Sequence, residues 1–455
     1  MNVMLSKSKH MIVRLTAVIM AVSLLWACTD LHGGDFDPVN GGGGSSQHPD
    51  RLQQEEVRDV LILYSAGFNS LSPFLLDDIN DLKGGYLPGD NRRDDVLLVY
   101  SHLPESYRKY NKPTSPVLMR LYQDGSGKAV ADTLVVYEKG TVSASAMQLK
   151  TVLDYVVSEF PAKGYGMIFS SHATGWLPSG YYSNSKDYEN GEYTPAALFS
   201  MDYVPSPVPY VAPEYDPSLP QTKSIGQDNV ITGDDNLSYE IDLPAFADAI
   251  PEPFDYILFD ACLMGGVEVA YQLRDKCGLV GFSQTEVLAE GLNYKTLVNH
   301  LLGQTEPDPV QVCDDFYAYY DAQNGVERSA TVSVVDCSMM EPLAKLCAEL
   351  FDRYNASIST LPSSRVQRYY RYSYHWFYDL ESILVEAGIS AEELALLHDA
   401  LNECVVYKAA TPSFMDSFDI DVCSGFSMFL PSHGGARLKQ YYKQLDWNIA
   451  TGLVK

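Results

Sequence analysis

Two short apolar runs constrain this chain more than any other feature. Each closes on a small or polar residue and then gives way to a helical pattern. One reads Gly166-Met-Ile-Phe-Ser-Ser-His172-Ala-Thr-Gly-Trp176, the other Phe254-Asp-Tyr-Ile-Leu-Phe-Asp-Ala-Cys262-Leu-Met-Gly-Gly266. Runs of this kind are the mark of strands buried in a parallel sheet. In such sheets, chemistry collects where the strands end at their carboxyl termini. The runs therefore predict an α/β fold that delivers the imidazole of His172 and the thiol of Cys262 to one edge. A thiol beside an imidazole is the pairing expected of a cysteine nucleophile with a histidine acid/base.

The rest of the pattern supports a large α/β body. Val60–Tyr64, Val96–Tyr100, Val117–Tyr122, Leu134–Tyr137 and Leu279–Ser283 read as further strands, with helical periodicity over 74–82, 144–160, 243–250 and 265–273. Residues 177–238 break the rhythm with many Pro, Tyr, Gly and Asp residues and no sustained period, as a long functional or inserted loop would. Beyond 306 the chain turns more helical (310–322, 339–354, 391–409), and Ser424–Pro431 reads as a returning strand. The expected organisation is a core over 55–325 that carries the 177–238 insertion, followed by a more helical region over 326–455.

The N-terminus has the pattern of a targeting segment. Lys7, Lys9 and Arg14 precede an apolar stretch from Leu15 to Ala27. Leu25-Trp26-Ala27-Cys28 resembles the lipobox of bacterial lipoproteins, which implies removal of residues before Cys28 and acylation of that cysteine. Residues 29–54, with Gly41-Gly-Gly-Gly-Ser-Ser46, read as a flexible tether. Export follows, with the protein held to a cell-envelope membrane, periplasmic or at the cell surface, through the lipid anchor only. A net charge of −27 disfavours nucleic acid and anionic lipid surfaces as partners. The seven cysteines other than Cys28 show no close-spaced pairs, so neither a disulfide framework nor a zinc site is expected. Most of them sit inside apolar patterns as small core filling.

The words around His172 and Cys262 carry more information. Ile168-Phe-Ser-Ser-His172-Ala-Thr-Gly-Trp176 and Phe259-Asp-Ala-Cys-Leu-Met-Gly-Gly-Val-Glu268 closely resemble the clostripain family of cysteine peptidases, from the clan of caspases, gingipains and legumains. Ser283-Gln-Thr-Glu-Val-Leu-Ala-Glu-Gly-Leu-Asn-Tyr294 and Ser424–Pro431 extend the likeness, which runs from about residue 59 to the C-terminus. It implies a caspase-like three-layer sandwich with a mainly parallel sheet between helices. It also implies a dyad in which Cys262 attacks a peptide carbonyl and His172 protonates the leaving amine, with backbone N–H groups of Ala173 and Cys262 as the oxyanion site. Family specificity for Arg or Lys implies acidic pocket residues, which Asp260 and Glu290 match; a strand-end Asp that caps the following helix is the competing reading of Asp260.

Relatives mature by self-cleavage within the insertion. Lys223 is the processing candidate here and Lys186 the other, with an uncut surface loop as the alternative. Some relatives need calcium, for which Asp202 and Asp234-Asp235 are candidate ligands, although no dedicated metal loop is present. No other cofactor is implied. Expected substrates are proteins or peptides with basic residues. The sequence departs from the family at Ala173 (glycine elsewhere), Gln284 and Leu292, which keeps open a second reading, a catalytically weak or inactive lipoprotein of the same fold that acts by binding or scaffolding. A flavodoxin-like nucleotide binder is disfavoured, because the loop after the first strand, Ser65-Ala-Gly-Phe-Asn-Ser70, has one glycine only.

Overall fold

In the computed structural model, nine strands form one sheet in the order β9-β8-β7-β6-β5-β1-β2-β3-β4. They are β1 (Val57–Ala66), β2 (Val96–His102), β3 (Val117–Gln123), β4 (Ala129–Val136), β5 (Ala162–Ser170), β6 (Phe254–Asp260), β7 (Cys277–Phe282), β8 (Thr331–Asp336) and β9 (Val405–Ala410). The central strands β7, β6, β5, β1 and β2 pair in parallel. Both edges are antiparallel, β3 and β4 on one side, β8 and β9 on the other. The residues described are 57–455, apart from 92, 108, 192–207, 210–218, 221, 223–227, 233–234 and 373–375.

Burial explains the sequence pattern. β2 is buried at all seven positions, and β5 and β6 nearly throughout. Strands covered by helices on both faces need continuous apolar runs rather than alternation. Side chains still alternate between the faces. Asp260 and Ser170 point to the side of α7 (Pro309–Asp321), whose Tyr320 feels the Asp260 charge. Phe169 and Phe259 meet Phe246 of α4 (Leu243–Asp248) on the other. The helix Ser72–Gly84, with proline in its first turn as its sequence indicates, and the helix Ala146–Glu159, capped by Ser145, complete the layers around the centre.

Three local expectations are corrected. The pattern over 391–409 reads as one helix; the helix stops at Cys404, and Val405–Ala410 becomes the edge strand β9 on β8. The β-branched and aromatic side chains of Val405, Val406 and Tyr407 suit a pleated strand better than another helical turn. The insertion carries elements of its own, a helix over Tyr181–Asn190 and an antiparallel pair, Asp228–Thr232 with Asp235–Tyr239. That helix has a weak sequence signal because it is held by packing, Tyr181 and Tyr188 lying buried in contact with each other and Tyr181 against Trp376. Finally, only Ser427–Met428 of the returning run is strand, paired with Tyr378–Asp379.

Residues Gln54–Lys455 form a single compact unit. The described cysteines are free, all buried except the half-buried Cys423.

Candidate active site

The register of the sheet brings the two reactive side chains together. Ser170 of β5 is the direct partner of Asp260 of β6, and Ser170 Oγ donates to Asp260 Oδ2 at 3.0 Å. Two residues further along each strand come His172 and Cys262. Neighbouring strands run about 4.8 Å apart, so both turns leave the same edge side by side. Leu263, directly after the cysteine, holds a φ of 61° in the left-handed region, at a cost of about 1–2 kcal/mol for a side chain with a Cβ. Gly175 also has a φ of 61°, and a Cβ there would collide with the Leu263 carbonyl oxygen. Only glycine lets the His172 turn close on the Cys262 turn. Ala173 keeps a negative φ, so the alanine that stands where the family has glycine is unstrained.

The two reactive groups sit in different surroundings. The imidazole, 7% exposed, has Ser70 Oγ at 3.0 Å from its Nε2. Ser70 is fixed by its loop: Asn69 donates to the Ala66 carbonyl and accepts from the Leu71 N–H, while Ser171 Oγ also donates to Ala66. The thiol is 0% exposed. Its sulfur accepts the Val287 N–H at 3.0 Å and lies 3.6 Å from the Val287 carbonyl oxygen. The sequence places Cys262 one turn ahead of a helix over 265–273. That helix, α5, spans Val267–Gln272, and the N–H that reaches the sulfur comes instead from the loop after β7.

That loop, Ser283–Tyr294, is fastened from several directions. Glu286 is fully buried and pairs with Arg371 at 2.9 Å, an ion pair with little solvent access on either side. Its other oxygen accepts from Thr222 Oγ1 at 3.1 Å, and Thr222 forms an antiparallel bridge with Leu288. Thr222 of the insertion thus lies on the residues that hold Cys262. Above them, Tyr182 and Tyr370 share a hydrogen bond, and burial first, then the Glu286 carboxylate, pushes the Tyr182 hydroxyl up. Behind the cysteine turn, Glu268 accepts from the Phe429 N–H and the Tyr442 hydroxyl. Burial outweighs both and raises its carboxyl to about 7.

Asp260 is 0% exposed and accepts from Tyr294 at 2.7 Å as well as from Ser170. It therefore joins β5 to the post-cysteine loop and caps no helix. Glu290 is exposed on that loop. Tyr320 donates to the Gly291 carbonyl at 3.3 Å, and its hydroxyl is driven up by burial first and then by the charges of Glu290 and Asp260. Val287 and Leu292 line the small cavity at Asp260, so the acid is closed off as the thiol is.

Several sequence candidates lie outside the described residues: Cys28, Lys223, Asp202 and Asp234, together with the side chain of Asp235. Lys186 is exposed on the helix of the insertion. Among the described residues no group of three or more His, Cys, Asp or Glu side chains is placed to hold a metal. Ser70, Glu286 and Arg371 escape a reading of the sequence. A serine in a loop and a Glu–Arg pair separated by 85 positions carry no local signal.

A cysteine and a histidine on adjacent parallel strands, with a carboxylate two residues before the cysteine, define a cysteine peptidase of caspase-like fold. The sequence profile of the C11 peptidases, the clostripain family, matches residues 63–188 and 212–451, and the chain belongs to that family. Among solved structures, it is similar to an inactive zymogen C11 protease from Parabacteroides distasonis, with 27% identity, 87% of this chain and 97% of that chain covered, and a TM-score of 0.66. A secreted C11 cysteine protease from Bacteroides thetaiotaomicron, iotapain, is similar in fold, with 23% identity, 87% and 99% covered and a TM-score of 0.64. A secreted C11 cysteine protease from Bacteroides thetaiotaomicron in complex with an irreversible peptide inhibitor aligns with a TM-score of 0.65 at 23% identity, covering 87% of this chain and 98% of that chain. No curated protein sequence matches the chain.

Proposed function

We propose that this cysteine peptidase is an endopeptidase that cuts after Arg or Lys, with Cys262 as nucleophile and His172 as acid and base. The observation that carries the reading is the matched register of Ser170 and Asp260, which sets His172 two residues beyond the one and Cys262 two residues beyond the buried carboxylate of the other. The Cys262 sulfur, as thiolate, forms a bond to the scissile carbonyl carbon. The oxyanion that results is held by backbone N–H groups of Cys262 and Ala173. As the C–N bond breaks, the departing amine takes a proton from the His172 imidazolium. Water then gives a proton to His172 and its oxygen attacks the thioester carbonyl; the C–S bond breaks, which releases the acid and restores the thiolate and imidazolium. Asp260 and Glu290 would receive the guanidinium or ammonium of the residue before the cut through charge-assisted bonds.

In this reading the structure is a closed form. A buried sulfur tied to Val287 and a sealed Asp260 need the loop 283–294 to move, and Thr222 of the insertion rests on that loop. Cleavage after Lys223, the next residue, would free it. The zymogen state of the Parabacteroides distasonis relative is in keeping with this. We further infer export and lipid attachment at Cys28, from the sequence pattern alone.

Fluorogenic peptides ending in Arg or Lys test the proposal. They should be turned over by the wild type and, with Cys262→Ala, at a rate lower by about 10³-fold or more, as loss of a covalent nucleophile costs in other peptidases. Equal turnover of acidic or apolar peptides would refute the pocket assignment, and activity that survives Cys262→Ala would refute the nucleophile. Intact mass of wild type beside Cys262→Ala reports self-cleavage in the insertion, and the mass of the N-terminal fragment reports acylation.

A further inference from the structure

Beside His172, on the face of the sheet away from Asp260, lies a second concavity of about 570 Å³, its open mouth included. Most of that is open mouth, and the enclosed part has room for about one side chain. Its wall begins with His172 and Ala173 and continues with Phe169, Leu243, Phe246 and Met264. Neither Cys262 nor Asp260 belongs to it. The lining is largely aliphatic and aromatic, and Phe169 and Phe246 meet edge to face at 5.1 Å between centroids.

The direction of a bound polypeptide follows from the order of the strands. Glu290 stands on the loop after β7, and Tyr294 of the same loop donates to Asp260 at the end of β6, whereas His172 follows β5, on the opposite side of β6. A residue held at the acids has its carbonyl at Cys262, and the departing amine lies at His172. The residue after the cut must therefore pass over β5, and in an extended chain its side chain points opposite to its predecessor. That direction leads into the pocket.

We infer that this pocket is the subsite for the residue that follows the scissile bond, and that it takes an aliphatic side chain such as Leu or Met. The inference rests on the Cys262/His172 reading above.

Full-length protein is assayed with internally quenched peptides that carry Arg before the cut and Leu, Met, Ala, Gly, Asp or Lys after it. Apolar pockets discriminate by roughly tenfold or more for such differences in side chain. Leu and Met should thus exceed Gly and Asp in kcat/KM by about that factor. Ala144 also lines the pocket, and Ala144→Leu should abolish the preference. An arginine methyl ester, whose leaving methanol places nothing in the pocket, should be turned over equally by both proteins. A flat profile while the ester is cleaved overturns the subsite, as does a preference that tracks the residue before Arg. An ester left intact by the wild type instead sinks the underlying peptidase reading, and the subsite with it. Should Ala144→Leu not fold, the wild-type peptide series decides alone.

Discussion

The two strand ends that make the site are built alike and finished differently. At the end of β5, His172 touches a serine hydroxyl and borders an open apolar pocket. At the end of β6, Cys262 is wholly buried, its sulfur accepting from the Val287 N–H and lying near the Val287 carbonyl. The imidazole is in place, while the sulfur is restrained by a loop that is itself restrained by the insertion and by Arg371. For the dyad proposed above, the contrast places control on the cysteine side: the fold holds the proposed acid/base in position, while access to the proposed nucleophile is conditional.

The largest expected effect comes from the point where the two ends touch. Gly175→Ala demands a left-handed alanine, about 1–2 kcal/mol, and presses a methyl group on the Leu263 carbonyl, with about 1–3 kcal/mol more for overpacking. Thermal unfolding should occur at a clearly lower temperature, and peptidase activity should be nearly lost even in the folded fraction, because the two turns are pushed apart. Wild-type activity in Gly175→Ala would show that the contact does not set the geometry of the pair.

Next in size is the restraint on the sulfur. Arg371→Met leaves the Glu286 carboxylate buried without its cation, which typically costs about 3–5 kcal/mol. The loop should loosen, and Cys262 of the uncleaved protein should react with iodoacetamide faster by roughly tenfold or more, as a buried thiol gains access. Replacing both partners, Glu286→Leu with Arg371→Met, should recover much of the stability, since apolar pairs of similar size substitute well for buried ion pairs. If labelling of Cys262 is unchanged in the single variant, the ion pair plays no part in holding the loop.

The same contrast explains how far the sequence could be read. The parallel centre of the sheet was legible because strands buried on both faces must be apolar throughout, as Val96–Tyr100 and Tyr256–Phe259 are. The positions of His172 and Cys262 followed, since a run that ends on a polar residue shows where the strand reaches the edge. Register was not legible. Nothing local shows that Ser170 faces Asp260 or that Gly175 meets Leu263. The helix Tyr181–Asn190 was missed because its buried side consists of tyrosines whose partners, such as Trp376, are remote in sequence. The edge strand β9 was absorbed into a helix because Val405 and Tyr407 continue an apolar rhythm, and only pairing with β8 decides between the two.

The smallest effect sharpens the histidine side. If Ser70 accepts from Nε2–H, it favours the protonated ring, as a hydrogen bond to the charged form does. Ser70→Ala should then lower kcat roughly three- to tenfold, in line with one ordinary hydrogen bond, with KM for an Arg peptide nearly unchanged. Loss of that bond makes the imidazolium easier to deprotonate, so the alkaline limb of the kcat profile should move to lower pH. Ser70→Thr keeps the hydroxyl and should restore both rate and limb. A serine that only fills space in the loop would lower stability without moving the limb. An unshifted profile in Ser70→Ala, or a threonine variant as impaired as the alanine, would leave His172 to be oriented by packing alone.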